Sequence, residues 1–301
     1  GEIVIYPAHG QGSPCGANIG DRKTSTIGYE LKNNPTLSID DEDRFVKTVM
    51  DALSPAPSYY SRVKKINTEG PRVVGYLPYI KPLGAQEFAK AIQEPDTIVL
   101  DTRSMEAFGA AHIPGSINVG LNEPFPIWAG RVLHESFPIW AGNILDPELF
   151  IYVVLPDSNK MDEVQRHLFR IGYENIAGYL NQGFSSWVET GFDFTTIPQL
   201  SVHALKTQIQ NGTNLQVLDV RSDDEWEDGH IPTAQHIYVP DLQNHLDQLD
   251  SEVPVATYCG IGYRASIAAS ILKKEGFHVH NIPGSMKAWE AAGYDTVLPN
   301  K

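Results

Sequence analysis

Cysteine is nearly missing from this sequence: 301 residues hold two, Cys15 and Cys259, far apart in the chain. That excludes a disulfide framework and points to a cytoplasmic chain. Basic residues are also scarce, with 23 Lys and Arg against 37 Asp and Glu, for a net charge of −14. No nucleic acid partner is expected, because polyanion affinity rests on Lys and Arg neutralising phosphates. An anionic membrane surface is repelled for the same reason. No apolar run reaches the length that spans a bilayer, and no signal peptide is visible. What remains is ordinary globular composition, 42% hydrophobic and 20% charged, long enough for two or three domains.

The chain contains an internal repeat. Leu100-Asp101-Thr102-Arg103 matches Leu218-Asp219-Val220-Arg221, and Ala111-His112-Ile113-Pro114 matches Gly229-His230-Ile231-Pro232. Both matches share one offset of 118 residues; further on, Gly183, Trp187 and Gly191 match Gly284, Trp289 and Gly293. Such a long period means duplicated domains rather than a solenoid. The first copy carries extra residues, for which a tandem duplication gives a source: Phe125-Pro126-Ile127-Trp128-Ala129-Gly130 recurs twelve residues on as Phe137-Pro138-Ile139-Trp140-Ala141-Gly142. A tolerated loop insertion is the preferred reading, with an exposed docking loop as the alternative.

Each copy alternates β-branched strand patterns, at 97–100 and 215–218, with helical ones. That order predicts an α/β fold with a parallel sheet flanked by helices in each repeat. Residues 58–80, with Gly70, Pro71, Gly75 and Pro78, read as a linker, and a second boundary falls near Pro198. The expected domains are 1–80, 81–197 and 198–301.

The chemistry concentrates after the strand pattern at 253–258. Cys259 is followed by Gly260-Ile261-Gly262-Tyr263-Arg264 and then by a helix. A thiolate between a strand end and a helix amino terminus is stabilised by loop amides and the helix dipole. The two glycines let several N–H groups point inward, and Arg264 supplies a fixed cation. Cys259 and Arg264 are the catalytic candidates; Gly260, Ile261, Gly262 and Tyr263 are the substrate-binding ones, with Ile261 and Tyr263 forming an apolar rim.

This segment resembles the active-site loop of rhodanese sulfurtransferases, and Leu218-Asp219-Val220-Arg221 and Gly229-His230-Ile231-Pro232 resemble the family's other signatures. The resemblance implies that Cys259 carries sulfane sulfur as a persulfide between small sulfur donors and thiol, sulfite or cyanide acceptors. Asp219, Arg221 and His230 are then supporting residues. Phosphatases with a cysteine nucleophile place five residues between Cys and Arg; here four intervene, and the tighter ring suits one sulfur atom. In the first copy Leu155 falls at the Cys259 position and Lys160 at that of Arg264, so that copy is expected to be structural, with His112 part of the scaffold.

At the amino terminus, Ile5-Tyr6-Pro7-Ala8-His9-Gly10 and Gly12-Ser13-Pro14-Cys15-Gly16 resemble the last metal-site strand and loop of the metallo-β-lactamase αββα fold, as in persulfide dioxygenases fused to rhodanese domains. Residues 1–80 are therefore expected to be the carboxyl-terminal remnant of such a domain plus its connector. The resemblance implies iron in the complete parent. It places His9 at that fold's unused second-metal position, so neither metal nor other cofactor is expected in this chain. A sulfurtransferase is the leading reading; a non-catalytic sulfur-binding or scaffold module is the alternative. Homo-oligomerisation stays open.

Overall fold

The computed structural model describes residues 1–8, 22–51, 57–73, 75–121 and 137–299. His9, Cys15 and the first Phe-Pro-Ile-Trp-Ala-Gly copy lie outside these residues. The chain divides into two units, one built on Gly1–Pro57 and one on Ser58–Asn122 with Phe137–Lys301.

In the first unit, strands β1 (Val4–Ile5) and β2 (Ser25–Thr26) pair antiparallel. Helix α1 (Ile27–Asn33) is capped by the Thr26 hydroxyl, which accepts from the Tyr29 N–H. Helix α2 (Glu42–Asp51) carries Glu42 and Asp43 in its first turn. Neither helix buries a residue, and Ile3, Tyr6, Leu31 and Met50 are exposed.

The second unit opens with α3 (Tyr60–Glu69), inside the segment read as a linker. The helix is docked rather than free. The Arg62 guanidinium lies 4.2 Å from the Tyr173 ring centroid and donates to the Ile171 carbonyl at 2.8 Å. The first repeat then runs β3 (Pro82–Leu83), α4 (Ala85–Ala91), β4 (Thr97–Asp101), α5 (Met105–Ala110), β5 (Ile117–Asn118), α6 (Phe137–Ile144), β6 (Phe150–Val154), α7 (Met161–Arg170), β7 (Ile176–Leu180) and α8 (Gly183–Glu189). The second follows with α9 (Val202–Gln210), β8 (Gln216–Asp219), α10 (Asp223–Glu227), β9 (Ala234–His236), β10 (Val255–Tyr258), α11 (Tyr263–Lys274), β11 (Val279–Asn281) and α12 (Ser285–Ala291).

Both sheets are parallel throughout, in the orders β3-β7-β6-β4-β5 and β11-β10-β8-β9. The chain leaves the strand next to the edge (β4 or β8) for that edge and returns to the other side of it. The strand order reverses there, and the crevice beyond the strand ends is where open α/β sheets bind ligands. Equivalent bonds fix the alignment: Thr102 N–H donates to Val154 O as Val220 N–H donates to Tyr258 O. Leu155 therefore stands where Cys259 does.

The expected loop insertion is corrected at its second copy. Phe137-Pro138-Ile139-Trp140-Ala141-Gly142 opens helix α6, and Phe137, Trp140 and Ala141 are buried in the core. The glycine match is corrected too. Gln182 and Gly183 have φ of +62° and +66°, and Gly284 and Ser285 have +70° and +45°. The left-handed pair before the last helix is therefore Gln-Gly in one repeat and Gly-Ser in the other, which puts Gly183 opposite Ser285.

One hydrophobic core runs through both repeats, from Phe108, Ile117 and Trp140 to Val220, Val239 and Ile267, and it includes Cys259. Ten residues of α11 are buried. Its contacts include β5 of the first repeat, where Asn118 accepts from Ser266 Oγ at 2.7 Å and Asn118 N–H donates to Ser270 Oγ at 3.1 Å. No helix among the described residues is long and apolar enough to cross a membrane.

Candidate active site

Cys259 follows β10 directly and is 1% exposed. The shape of its loop comes from where the carbonyls go. Cys259 O accepts from Met286 N–H at 2.9 Å, Gly260 O from Lys287 N–H at 3.0 Å, and Ile261 O from Gly284 N–H at 3.1 Å. In a planar trans peptide the following N–H points opposite its carbonyl. Three carbonyls held outward by the start of α12 therefore turn the amides of Gly260, Ile261 and Gly262 to the opposite side of the loop backbone. The last of these donates to Cys259 Sγ at 3.1 Å. Gly262 reaches this geometry with φ +115°, a region side chains avoid, and a Cβ there would stand 3.0 Å from Met105 Sδ. The first repeat thus touches the loop.

Arg264 is not an open cation. Its Nη1 and Nη2 donate to the two Glu225 carboxylate oxygens at 2.6 and 2.8 Å, and its side chain is 4% exposed. Burial disfavours its charge, but the Glu225 hydrogen bonds and the neighbouring Cys259 outweigh this and raise its pKa, so it stays protonated. A Cβ on Gly260 would lie 3.3 Å from Arg264 Nη2, so the ion pair sits against the loop backbone.

Gly260 and Ile261 are the part-exposed members of the loop. Tyr263 is buried, and its hydroxyl donates to Gly120 O at 2.8 Å. It braces the loop against the first repeat instead of forming the rim expected of it. Arg221 clamps Asp219, with Nη2 to Oδ2 at 2.6 Å, and reaches Gly229 O at 2.8 Å. Arg103 and Asp101 repeat this clamp at the same distance, with Ala111 O as the carbonyl, in the repeat that has no cysteine. His230 stacks on Trp226 with centroids 3.4 Å apart, as His112 stacks on Phe108 at 3.9 Å. These pairs are scaffold.

Two residues were missed by sequence reasoning. Glu225 carried one cue, the Ser222-x-x-Glu225 capping box, in which Ser222 N–H donates to Glu225 Oε2 at 3.2 Å. Ser285 carried none; its hydroxyl accepts from Cys259 N–H at 3.1 Å. In the first repeat the offset puts Ala107 opposite Glu225. Nucleophile, cation and carboxylate are thus replaced together, by Leu155, Lys160 and Ala107. Among the described residues no three His, Cys, Asp or Glu side chains form a group able to hold a metal ion. They do not supply the two-His, one-carboxylate set that iron takes.

Comparison with known proteins places both repeats. The model of the rhodanese-like domain matches residues 84–190 and 201–292. The Bacillus subtilis putative sulfurtransferase YtwF is 35% identical over 94 residues, covering 31% of this chain and 91% of that protein. The Coxiella burnetii thiosulfate sulfurtransferase GlpE is 33% identical over 79 residues, 26% of this chain and 74% of its own. The B. subtilis putative sulfur carrier protein YrkF is 29% identical over 128 residues, 42% of this chain, and the chain spans only 62% of its length. Among solved structures, a Staphylococcus aureus metallo-beta-lactamase matches at 28% identity and TM-score 0.43, over 59% of this chain and 44% of that one.

Proposed function

The chain belongs to the rhodanese-like domain family, and we propose that its second repeat is a sulfurtransferase carrying sulfane sulfur on Cys259. The observation that carries this reading is the 3.1 Å bond from Gly262 N–H to Cys259 Sγ, within a loop whose carbonyls are all held outward. Such a cradle stabilises a thiolate before reaction and a persulfide after it, with preorganised dipoles that need no rearrangement.

The reaction has two displacements. The Cys259 thiolate attacks the outer sulfur of the donor; a bond forms between Sγ and that sulfur while the donor's S–S bond breaks. The electron pair leaves with a thiolate, or with sulfite when thiosulfate is the donor. An acceptor thiolate then attacks the terminal sulfur, takes it, and returns the pair to Cys259. Charge is conserved in each step, and no oxidant enters.

Small persulfide or polysulfide donors suit the site better than thiosulfate. Arg264 is neutralised by Glu225, and the net charge of −14 repels a dianion at long range. The first repeat serves as a structural partner bracing the loop through Tyr263 and Met105. Iron-dependent persulfide oxidation in a longer parent protein belongs to this proposal only through the amino-terminal resemblance.

The test is intact mass after brief exposure to a persulfide donor, for wild type and Cys259→Ser. A reducible one-sulfur adduct on wild type alone, lost on adding an acceptor thiol, is the expected result. An adduct that acceptors do not discharge would favour a sulfur-binding module, and equal labelling of the variant would remove Cys259 from the mechanism.

A further inference from the structure

Four amides belong to the cysteine loop, those of Gly260, Ile261 and Gly262 and that of Cys259 itself, and Gly262 N–H donates to the sulfur. The first three turn inward. The fourth is led away, because Cys259 N–H donates to Ser285 Oγ at 3.1 Å, and that hydroxyl donates onward to Ile282 O at 2.7 Å. Ser285 is fully buried and has a φ of +45°, where a side chain strains the backbone. Glycine would remove that strain, and glycine is what the first repeat uses: Gly183, with φ +66°, takes this place behind Leu155. The strained serine is found in the repeat that has a cysteine to hold.

We propose that Ser285 is a positioning residue for the Cys259 nucleophile, its hydroxyl fixing the Cys259 peptide so that Sγ sits on the Gly262 amide. This rests on the reading of Cys259 as the sulfur carrier. Met286 N–H grips the carbonyl side of Cys259 and Ser285 Oγ grips the amide side, so two consecutive residues of one turn hold the nucleophile's backbone from both ends. Without the hydroxyl, the buried Cys259 N–H loses its acceptor. The peptide then tilts in search of another, and the amide-to-sulfur alignment that favours the thiolate is lost.

The role separates from a structural one because strain and hydroxyl can be removed independently. Iodoacetamide alkylation of Cys259 is followed by peptide mass across pH for wild type, Ser285→Gly and Ser285→Ala, with unfolding temperatures recorded alongside. Ser285→Gly is expected to unfold at a higher temperature than Ser285→Ala, since both lose the hydroxyl and only glycine relieves φ +45°. Both variants are expected to alkylate with profiles displaced upward by about half a pH unit, an about three-fold lower rate on the acid side. A Ser285→Gly profile superimposable on wild type would overturn the proposal, as would a displacement in only one variant. Lower unfolding temperatures without displacement would assign Ser285 to structure alone. Sulfur loading is run in parallel. Wild type that alkylates at Cys259 yet accepts no sulfur would end the carrier reading while leaving the Ser285 comparison decisive.

Discussion

Glu225 holds both terminal nitrogens of Arg264, at 2.6 and 2.8 Å, so the cation expected to face the substrate is spent on a carboxylate 39 residues earlier in the chain. Glu225→Gln would leave the guanidinium buried beside Cys259 without its counter-charge and with one oxygen acceptor in place of two. Breaking a buried pair from one side costs about 3 kcal/mol, the lower end of the usual range, because Glu225 keeps 24% of its side chain exposed. The denaturant midpoint should fall accordingly. In the same variant the rate with thiosulfate should rise relative to that with an uncharged polysulfide. An unchanged ratio would show that Arg264 does not reach the donor.

Leu155→Cys in a Cys259→Ser background should not restore sulfur loading. The first repeat offers Lys160 and Ala107 in place of Arg264 and Glu225, and Pro156, which has no N–H, in place of Gly260. A one-sulfur adduct at position 155 in intact-mass spectra would show that the thiol alone suffices.

Asn118 ties the repeats together. Its Nδ2 donates to Asp101 O and Arg103 O, both at 3.1 Å, while its Oδ1 accepts from Ser266 on α11. Asn118→Ala would take a partner from Arg103 O and Ser266 Oγ at a buried position, while Asp101 O keeps Val119 N–H at 3.0 Å, costing about 2 kcal/mol. Hydrogen exchange should speed up in α11 as well as in β5, although the change lies outside the catalytic repeat. Faster exchange confined to residues 81–121 would mean that the repeats open independently.

His112 sets a pH window. It is buried, its Nδ1 lies 2.8 Å from Phe108 O, and burial lowers its pKa to about 4. The unfolded value is higher, about 6.5. Between these values the unfolded chain binds the extra proton, so stability falls as pH drops from about 6.5 towards 4 and is flat below that. The full loss is about 3 kcal/mol. His112→Gln, measured by urea unfolding across that range, should flatten the curve; an unaltered slope would assign the acid sensitivity to other groups.

The readable part of the site was its contiguous part. Cys259 to Arg264 is one loop between a strand and a helix, and the glycines, the cysteine and the following helical pattern all lie within a dozen residues. Ser285 and Glu225 reach it only through topology, across 26 and 39 residues, and no local pattern announces such a meeting. Duplication also separated scaffold from chemistry in a way composition could not. The Asp101–Arg103 clamp matches Asp219–Arg221 at 2.6 Å although only one of the two stands beside a cysteine. Strands β4 and β8 were legible from their buried β-branched runs. Helix α3 was not, because glycine and proline crowd its far end and its stabilising contacts, with Tyr173 and Ile171, lie more than a hundred residues away. Helix α6 was hidden by its own repetition, which looks like an insertion until its aromatic residues are found buried.

That repetition poses a choice during folding. Residues 125–130 are identical to those that open α6, and a slot that accepts Phe-Pro-Ile-Trp-Ala-Gly cannot tell the two stretches apart. Seating the earlier stretch would shift twelve residues from the approach of the helix to its exit, a small difference in loop entropy. Within the helix, discrimination falls to the two positions that follow. Asn143 accepts from Ser58 N–H at 3.0 Å and Ile144 is buried, whereas the earlier stretch would present Arg131 and Val132 there. One amide and one methyl group thus open the reading frame of this domain, and His134 and Glu135, set against Asp146 and Pro147, continue it.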